Sequence, residues 1–210
     1  MNIKGGTGKT TSTAYLAHAF RDLGRRVLIV DADPQGSITE WSEEADWPIP
    51  TLELAVPDLH KRLPGITGRD RYDVVLIDTP PYPKRRRSGP QQPSEIPGIV
   101  ESAARAADSV VIALGPTMME LAKLPEVLRT LEAAAAKRSG PQQVRALLNR
   151  VVWNANSTGV TRRAAVAQGC QVLTVEIPFR QATIGQSYGA PITGPLHGYL
   201  SAAIELENMQ

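Results

Sequence analysis

Lys4-Gly5-Gly6-Thr7-Gly8-Lys9-Thr10-Thr11 concentrates more chemistry than any other stretch of the chain. Glycines lack a Cβ, so successive backbone N–H groups in such a run can turn inward around phosphate oxygens. A helix starting directly behind the run adds the positive end of its dipole. Lys9 is spaced to set its ammonium on β- and γ-phosphates, and the Thr10 hydroxyl to ligate Mg²⁺. Ile3 stands where the strict phosphate-loop pattern has glycine, six residues before Lys9. Three carboxylates extend the constellation. Asp31 and Asp33 follow the apolar run at 27–30, and Asp78 follows the run at 74–77. All three are expected beyond strand C-termini, where α/β sheets bind ligands. A magnesium–nucleotide site uses a carboxylate near the metal shell and often a second one to orient the attacking water.

Such residues need strands and helices to aim them. Apolar runs at 27–30, 74–77, 110–114, 144–148 and 172–177 read as strands, mostly continuous in apolarity, which means burial on both faces. Leu16, Phe20 and Leu23 share a helical face ahead of a Gly24 stop, and Leu121, Leu124, Leu128 and Leu131 repeat helical spacing. Further helices are expected over about 157–168 and from about Leu196. Strand–helix alternation implies an α/β fold: a doubly wound, mostly parallel sheet with helices on both faces, as one domain over 1–210. Residues 80–97 break the pattern. Six prolines and the run Lys84-Arg85-Arg86-Arg87 predict a long loop.

Only Met1, Asn2 and Ile3 precede Lys4, whereas a strand feeding a phosphate loop needs about 5–6 residues. The first strand therefore reads as truncated. The natural chain is expected to start upstream, with about five to eight more residues rich in Val, Ile and Ala.

Composition narrows the remaining classes. The 210 residues are 42% hydrophobic and 21% charged, which is ordinary globular usage. Cys170 is the only cysteine, so a disulfide framework and a tetrathiolate metal site within one chain are excluded. No apolar run approaches the ~20 residues that span a bilayer, and no apolar signal core follows the first residues. The chain reads as cytoplasmic. Its net charge is +2, with basic clusters at Lys84-Arg85-Arg86-Arg87, Lys137-Arg138 and Arg162-Arg163. Residues 181–210 hold no Lys or Arg, which argues against a basic membrane-binding tail. His18, His60 and His197 lack ligand spacing, Cys170 reads as a buried small residue, and Trp41 and Trp47 are expected to pack after the Asp33-Pro34 turn.

The phosphate-loop run, then Val30-Asp31-Ala32-Asp33-Pro34-Gln35-Gly36-Ser37, then Leu76-Ile77-Asp78-Thr79-Pro80-Pro81, resembles the ParA/MinD superfamily of deviant Walker ATPases. Arg145-Ala146-Leu147-Leu148-Asn149-Arg150 and Val175-Glu176-Ile177-Pro178-Phe179-Arg180 look like its later segments, so the likeness covers nearly the whole chain. The resemblance implies ATP and Mg²⁺ as ligands and a homodimer that sandwiches nucleotide. It implies that Lys4 reaches the partner's phosphates, with Lys9 and Asp33 beside it as catalytic residues and Asp33 orienting the water. The nucleotide-binding set is then Lys4, Gly5, Gly6, Thr7, Gly8, Lys9, Thr10 and Thr11, with Asn149 and Pro178 bordering the adenine. Thr10, Asp31 and Asp78 would serve the metal.

Within that superfamily the chain most resembles short partition ATPases. It lacks the basic C-terminal helix of a MinD-like protein, the paired cysteines of a nitrogenase reductase and the tyrosine cluster of a bacterial tyrosine kinase. The likeness implies an ATPase that dimerises on ATP, binds DNA without sequence preference and is released when a ParB-like or adaptor protein stimulates hydrolysis. Arg162, Arg163, Arg85, Arg86 and Arg87 are the candidate DNA contacts, and location on the nucleoid follows. The alternative is an ATP-switched regulatory or cargo-positioning module with little turnover.

Overall fold

The computed structural model describes residues 6–81, 95–153, 156–180, 184 and 187–209. The strand expected to feed the phosphate loop, together with Lys4, Gly5, Arg85, Arg86 and Arg87, lies outside them.

Among the described residues, six strands run parallel in two three-stranded sheets. In the first, β1 (Val27–Asp31) lies between β2 (Thr51–Glu53) and β3 (Val74–Asp78). In the second, β5 (Gln143–Val151) lies between β4 (Ser109–Leu114) and β6 (Gln171–Pro178). The helices are α1 (Lys9–Asp22), α2 (Ser37–Glu44), α3 (Leu59–Arg71), α4 (Ile96–Ala106), α5 (Met118–Leu121), α6 (Leu124–Ala135), α7 (Asn156–Ala167) and α8 (Tyr199–Glu207).

Alternation along each strand sends neighbouring side chains to opposite faces. Val27 and Ile29 of β1, with Leu147, Leu173 and Ile177 of the second sheet, pack under α1, α2 and α8 in one cluster common to both sheets. Leu28 and Val30 face the other way, onto Leu59, Leu63 and Ile99 of α3 and α4. Ile112, Leu114, Ala146 and Leu148 do the same beneath α6 and α7. Helices thus cover both faces, as the continuous apolar runs require.

The structure departs from the sequence reading in several places. β2 is only three residues long, too short for a periodicity signal. α3 contains Pro64 and a non-helical Gly68, so it is two helical pieces joined at a kink. α4 begins at Ile96, inside the proline-rich segment, because Pro97 at the first helical positions has the right φ and needs no N–H partner there. The last helix starts at Tyr199 rather than Leu196; Leu196 is buried ahead of it and His197 sits at φ 48°.

The two-faced core makes a direct comparison available. Ile29 is fully buried and Ile204 is 43% exposed. Ile29→Ala is expected to cost about 2–5 kcal/mol, and Ile204→Ala about 0.5 kcal/mol or less. Chemical denaturation measures both. Equal losses would contradict the placement of β1 at the centre of the core.

Candidate functional site

Gly6 and Gly8 adopt φ 75° and 83°, the left-handed region that glycine enters without strain. Gly8 is the N-cap of α1, and the first turn of α1 carries neither a side-chain cap nor an acidic residue. The helix therefore presents its N-terminal backbone dipole to whatever lies ahead of the loop.

Directly below, the parallel register of β1 and β3 pairs Asp31 with Asp78. Asp78 is buried and accepts hydrogen bonds from Thr10 Oγ1 at 2.7 Å and Thr13 Oγ1 at 3.3 Å. Burial pushes its carboxyl up to about 6, an effect that the Thr10 bond opposes and the nearby Asp31 charge reinforces. Asp31 is also buried and raised by burial. It accepts from Asp33 N at 3.0 Å and from Thr39 N and Oγ1 at 3.2 and 2.9 Å. These bonds fix the turn that carries Asp33, whose Oδ1 accepts from Gln35 N at 3.0 Å. Lys9 is nearly buried, and desolvation lowers its ammonium pKa while Asp78 and Asp33 pull it back up.

Behind the loop stands the end of β5. Asn149 donates to Thr7 O and Ser12 Oγ, both at 3.2 Å, and Arg150 Nη1 donates to Gly6 O at 2.9 Å. Arg150 holds a left-handed φ of 59°, and its guanidinium lies 5.6 Å from the Phe179 ring centre. A cavity of about 480 Å³ opens in front, floored by Gly6, Gly8, Thr10 and Thr11. Asn149, Arg150, Pro178, Phe179 and Arg180 line one side; Ser37, Trp41, Ser187 and Tyr188 line the other.

The structure therefore brings Gly6, Thr7, Gly8, Lys9, Thr10, Thr11, Asp31, Asp33, Asp78, Asn149 and Pro178 to one place. Sequence reasoning missed Thr13, Arg150, Phe179, Tyr188 and the place of Trp41 in the cavity lining. Trp41, expected only to pack, does both: it is buried against Trp47 and Tyr188 and donates from Nε1 to Ala190 O at 2.8 Å. Arg162 sits elsewhere. Its guanidinium donates to Leu173 O, Thr174 O and Glu176, tying α7 to β6, whereas Arg163 beside it is exposed. Among the described residues no cluster of three or more His, Cys, Asp and Glu side chains could hold a metal ion by itself, and no helix is long and apolar enough to cross a membrane.

Left-handed glycines, a buried lysine and a threonine hydroxyl on a buried carboxylate form a candidate phosphate-binding site on a doubly wound α/β sheet. Residues 1–191 match the CobQ/CobB/MinD/ParA nucleotide binding domain, and the chain belongs to that family. It is 34% identical over 156 residues to maintenance of carboxysome distribution protein A from Gloeobacter kilaueensis, covering 72% of this chain and 61% of that protein. It is 31% identical over 164 residues to the chromosome-partitioning ATPase Soj from Thermus thermophilus, covering 64% of this chain and 61% of that one. The chain thus spans about three-fifths of each of these relatives. Its fold matches cobyrinic acid a,c-diamide synthase from Mycobacterium smegmatis, solved with an ATP analogue and magnesium, at a TM-score of 0.75 and 21% identity over 99% of this chain and 92% of that one.

Gly8 supplies the sharpest local test. A Cβ there would meet Asn149 Nδ2 at 2.5 Å, in a conformation that L side chains rarely adopt. Gly8→Ala should lower nucleotide affinity at least tenfold and cost about 1–3 kcal/mol of stability. Calorimetric titration and thermal melting check both numbers, and unchanged affinity would mean that this loop does not hold the ligand.

Proposed function

We propose that the protein is an ATP- and Mg²⁺-dependent switch ATPase that dimerises on ATP, binds DNA without sequence preference, and is released when a partner protein stimulates hydrolysis. The observation that carries this reading is the Thr10–Asp78 contact at 2.7 Å beneath the Gly6–Gly8 turn. The donor set fits magnesium. A hydroxyl and a carboxylate reachable through water suit a hard cation that keeps much of its hydration shell. The ion, when bound, neutralises charge on the phosphate oxygens it touches. Thr10 and Asp78 would hold the ion, and Asp78, whose carboxyl burial pushes up to about 6, would do so as the carboxylate.

The chain's own residues would divide the work. The loop N–H groups and Lys9 hold the phosphates, and Asp33 orients water toward the terminal one. Lys4 reaches the phosphates bound by the other subunit, so hydrolysis depends on assembly. Similarity to a chromosome-partitioning ATPase supports the DNA arm of the reading. Similarity to a carboxysome distribution protein favours a second version, in which the same cycle positions another cargo on the nucleoid. An adaptor then takes the place of a ParB-like partner, and DNA-stimulated turnover separates both versions from a binding module with little hydrolysis.

Two experiments test the cycle. Asp33→Ala should bind ATP normally, lose about 10²-fold or more in turnover, and accumulate as ATP-bound dimer on DNA. Lys4→Ala should retain nucleotide binding by the monomer and lose the ATP-dependent dimer in sedimentation. A Lys4→Ala protein that dimerises and hydrolyses normally would refute the sandwich.

The DNA arm has its own measurement. Arg163→Ala should weaken binding equally for all sequences and flatten the plot of log affinity against log salt by about 0.9 for duplex DNA. Arg162→Ala should leave that slope unchanged, since its guanidinium is committed within the chain. An unchanged slope for Arg163→Ala would assign it to the solvated surface.

A further inference from the structure

We propose that Tyr188, Gly189 and Ala190 form a brace that positions Asp33, acting through α2 rather than on the nucleotide. This rests on the ATPase reading given above, in which Asp33 orients the attacking water.

The turn that carries Asp33 is tied at both ends. Asp31 Oδ1 accepts from Asp33 N at 3.0 Å, and Asp31 Oδ2 accepts from Thr39 N and Oγ1 at 3.2 and 2.9 Å. Asp33 O accepts from Gly36 N, and Gly36 O accepts from Glu40 N, both at 2.9 Å. The turn therefore runs from the end of β1 into the first turn of α2, and a shift of α2 reaches Asp33 through these bonds. β1 is buried at every position. α2 is the weaker end: it has eight residues, and its N-cap, Gly36, makes no side-chain cap hydrogen bond. A helix that short is marginal without tertiary support.

The support comes from far along the chain. Tyr188 Oη donates to Glu40 Oε2 at 2.5 Å, and Trp41 Nε1 donates to Ala190 O at 2.8 Å. Between these contacts Gly189, at φ 77°, approaches α2 so closely that a Cβ there would stand 2.7 Å from Glu44 Oε2. Three consecutive residues thus meet positions 40, 41 and 44, which are neighbours on one side of a helix. Trp41 is buried, and its ring centre lies 5.7 Å from that of Tyr188. The brace is itself held in a turn, since Ser187 Oγ donates to Ile184 O at 2.7 Å and Ala190 N to Ser187 O at 2.9 Å. The bond to Glu40 pushes the Tyr188 hydroxyl up to about 12, so it stays protonated and donating at neutral pH.

The phosphate loop is held from other elements. Asn149 and Arg150 of β5 grip its carbonyls, and Thr10 and Thr13 fix α1 to Asp78. Loosening the brace should therefore leave the phosphates bound and displace the carboxylate that orients water. Trp41 and Tyr188 also line the cavity, whereas Gly189 does not, so a change at Gly189 acts through the brace alone.

The experiment measures single-turnover hydrolysis at saturating MgATP and, separately, MgATP affinity by titration, on the full chain. Thermal melting confirms that each variant is folded at the assay temperature. Gly189→Ala should slow hydrolysis about three- to tenfold and leave affinity within about twofold. Tyr188→Phe should slow it about two- to fivefold, the scale of one hydrogen bond, again with affinity kept. Glu40→Ala should match Tyr188→Phe, and the pair together should do no more than either alone. Glu40→Gln, which keeps an acceptor, should retain the wild-type rate. In an Asp33→Ala background none of these changes should slow the residual rate further, because they act through that carboxylate. A merely structural role would lower the melting temperature and leave the rate of the folded protein alone. Loss of affinity at an unchanged rate in Tyr188→Phe would overturn the proposal and make Tyr188 a ligand contact. Unchanged rates in Gly189→Ala and Tyr188→Phe, or rates that fall as far in the Asp33→Ala background, would overturn it as well. Wild-type protein that does not hydrolyse MgATP would instead overturn the ATPase reading, and this inference with it.

Discussion

Two threonines from the first turns of α1 donate to a single carboxylate at the end of β3, and the rest of the site is arranged around that contact. Asp78 is fully enclosed, so its charge has lost its water and must be met by protein dipoles or a cation. Thr10 and Thr13 supply two dipoles and Lys9 supplies a nearby charge. The exchange is mutual: desolvation lowers the pKa of the buried lysine, and the charges of Asp78 and Asp33 oppose that shift. Neither group would be stable in that place alone. Together they fix the start of α1 against the first sheet, and with it the direction in which the loop amides face.

The cavity has two walls of different construction. On the β5–β6 side, the wall belongs to the sheet and to residues immediately beyond it, with Asn149 and Arg150 gripping the loop backbone. The other wall belongs to α2 and the segment at 187–190. Tyr188 donates from its hydroxyl to Glu40 at 2.5 Å, and Trp41 donates to Ala190 O, so α2 and this late segment are bound to one another. The first turn of α2 is anchored to Asp31 through Thr39. Asp31 therefore ties both the turn that carries Asp33 and the first turn of α2 to β1, while Asn149 and Arg150 hold the phosphate loop from the end of β5.

Much of this was legible before any coordinates. Mostly apolar runs located five strands to within a few residues, because strands covered on both faces, as β1 is, are near-continuously apolar. Asp31, Asp33 and Asp78 could be read together with the phosphate loop because they lie at or just beyond the ends of two of those strands, and strand ends are where a parallel sheet assembles a site. What escaped has physical causes. Three residues of β2 cannot show a period. Pro64 and Gly68 hide α3, and Pro97 looks like a breaker although it starts α4. Arg150 and Tyr188 carry no local signal, since their relevance comes only from tertiary proximity to Gly6 and Glu40. Arg162 illustrates the converse: a basic pair reads as one patch, yet the helix turns one guanidinium inward onto β6 carbonyls and leaves the other in solvent.

Arg150 shows how the two halves of the fold are reconciled at the site. A non-glycine residue at φ 59° carries backbone strain, and such strain persists only where the surroundings over-determine it. Here β5 must deliver Asn149 under the loop and then leave the sheet at once, since Phe179 N donates to Val151 O at 2.7 Å and closes the β6 side. The left-handed turn at Arg150 satisfies both demands. Its cost is offset locally, because Asn149 Oδ1 accepts the Arg150 N–H, the guanidinium reaches Gly6 O, and its face lies over Phe179. The same turn leaves the Arg150 guanidinium in the lining of the cavity, to which Arg180 also belongs. Two cations in that lining suit an anionic ligand better than a neutral one.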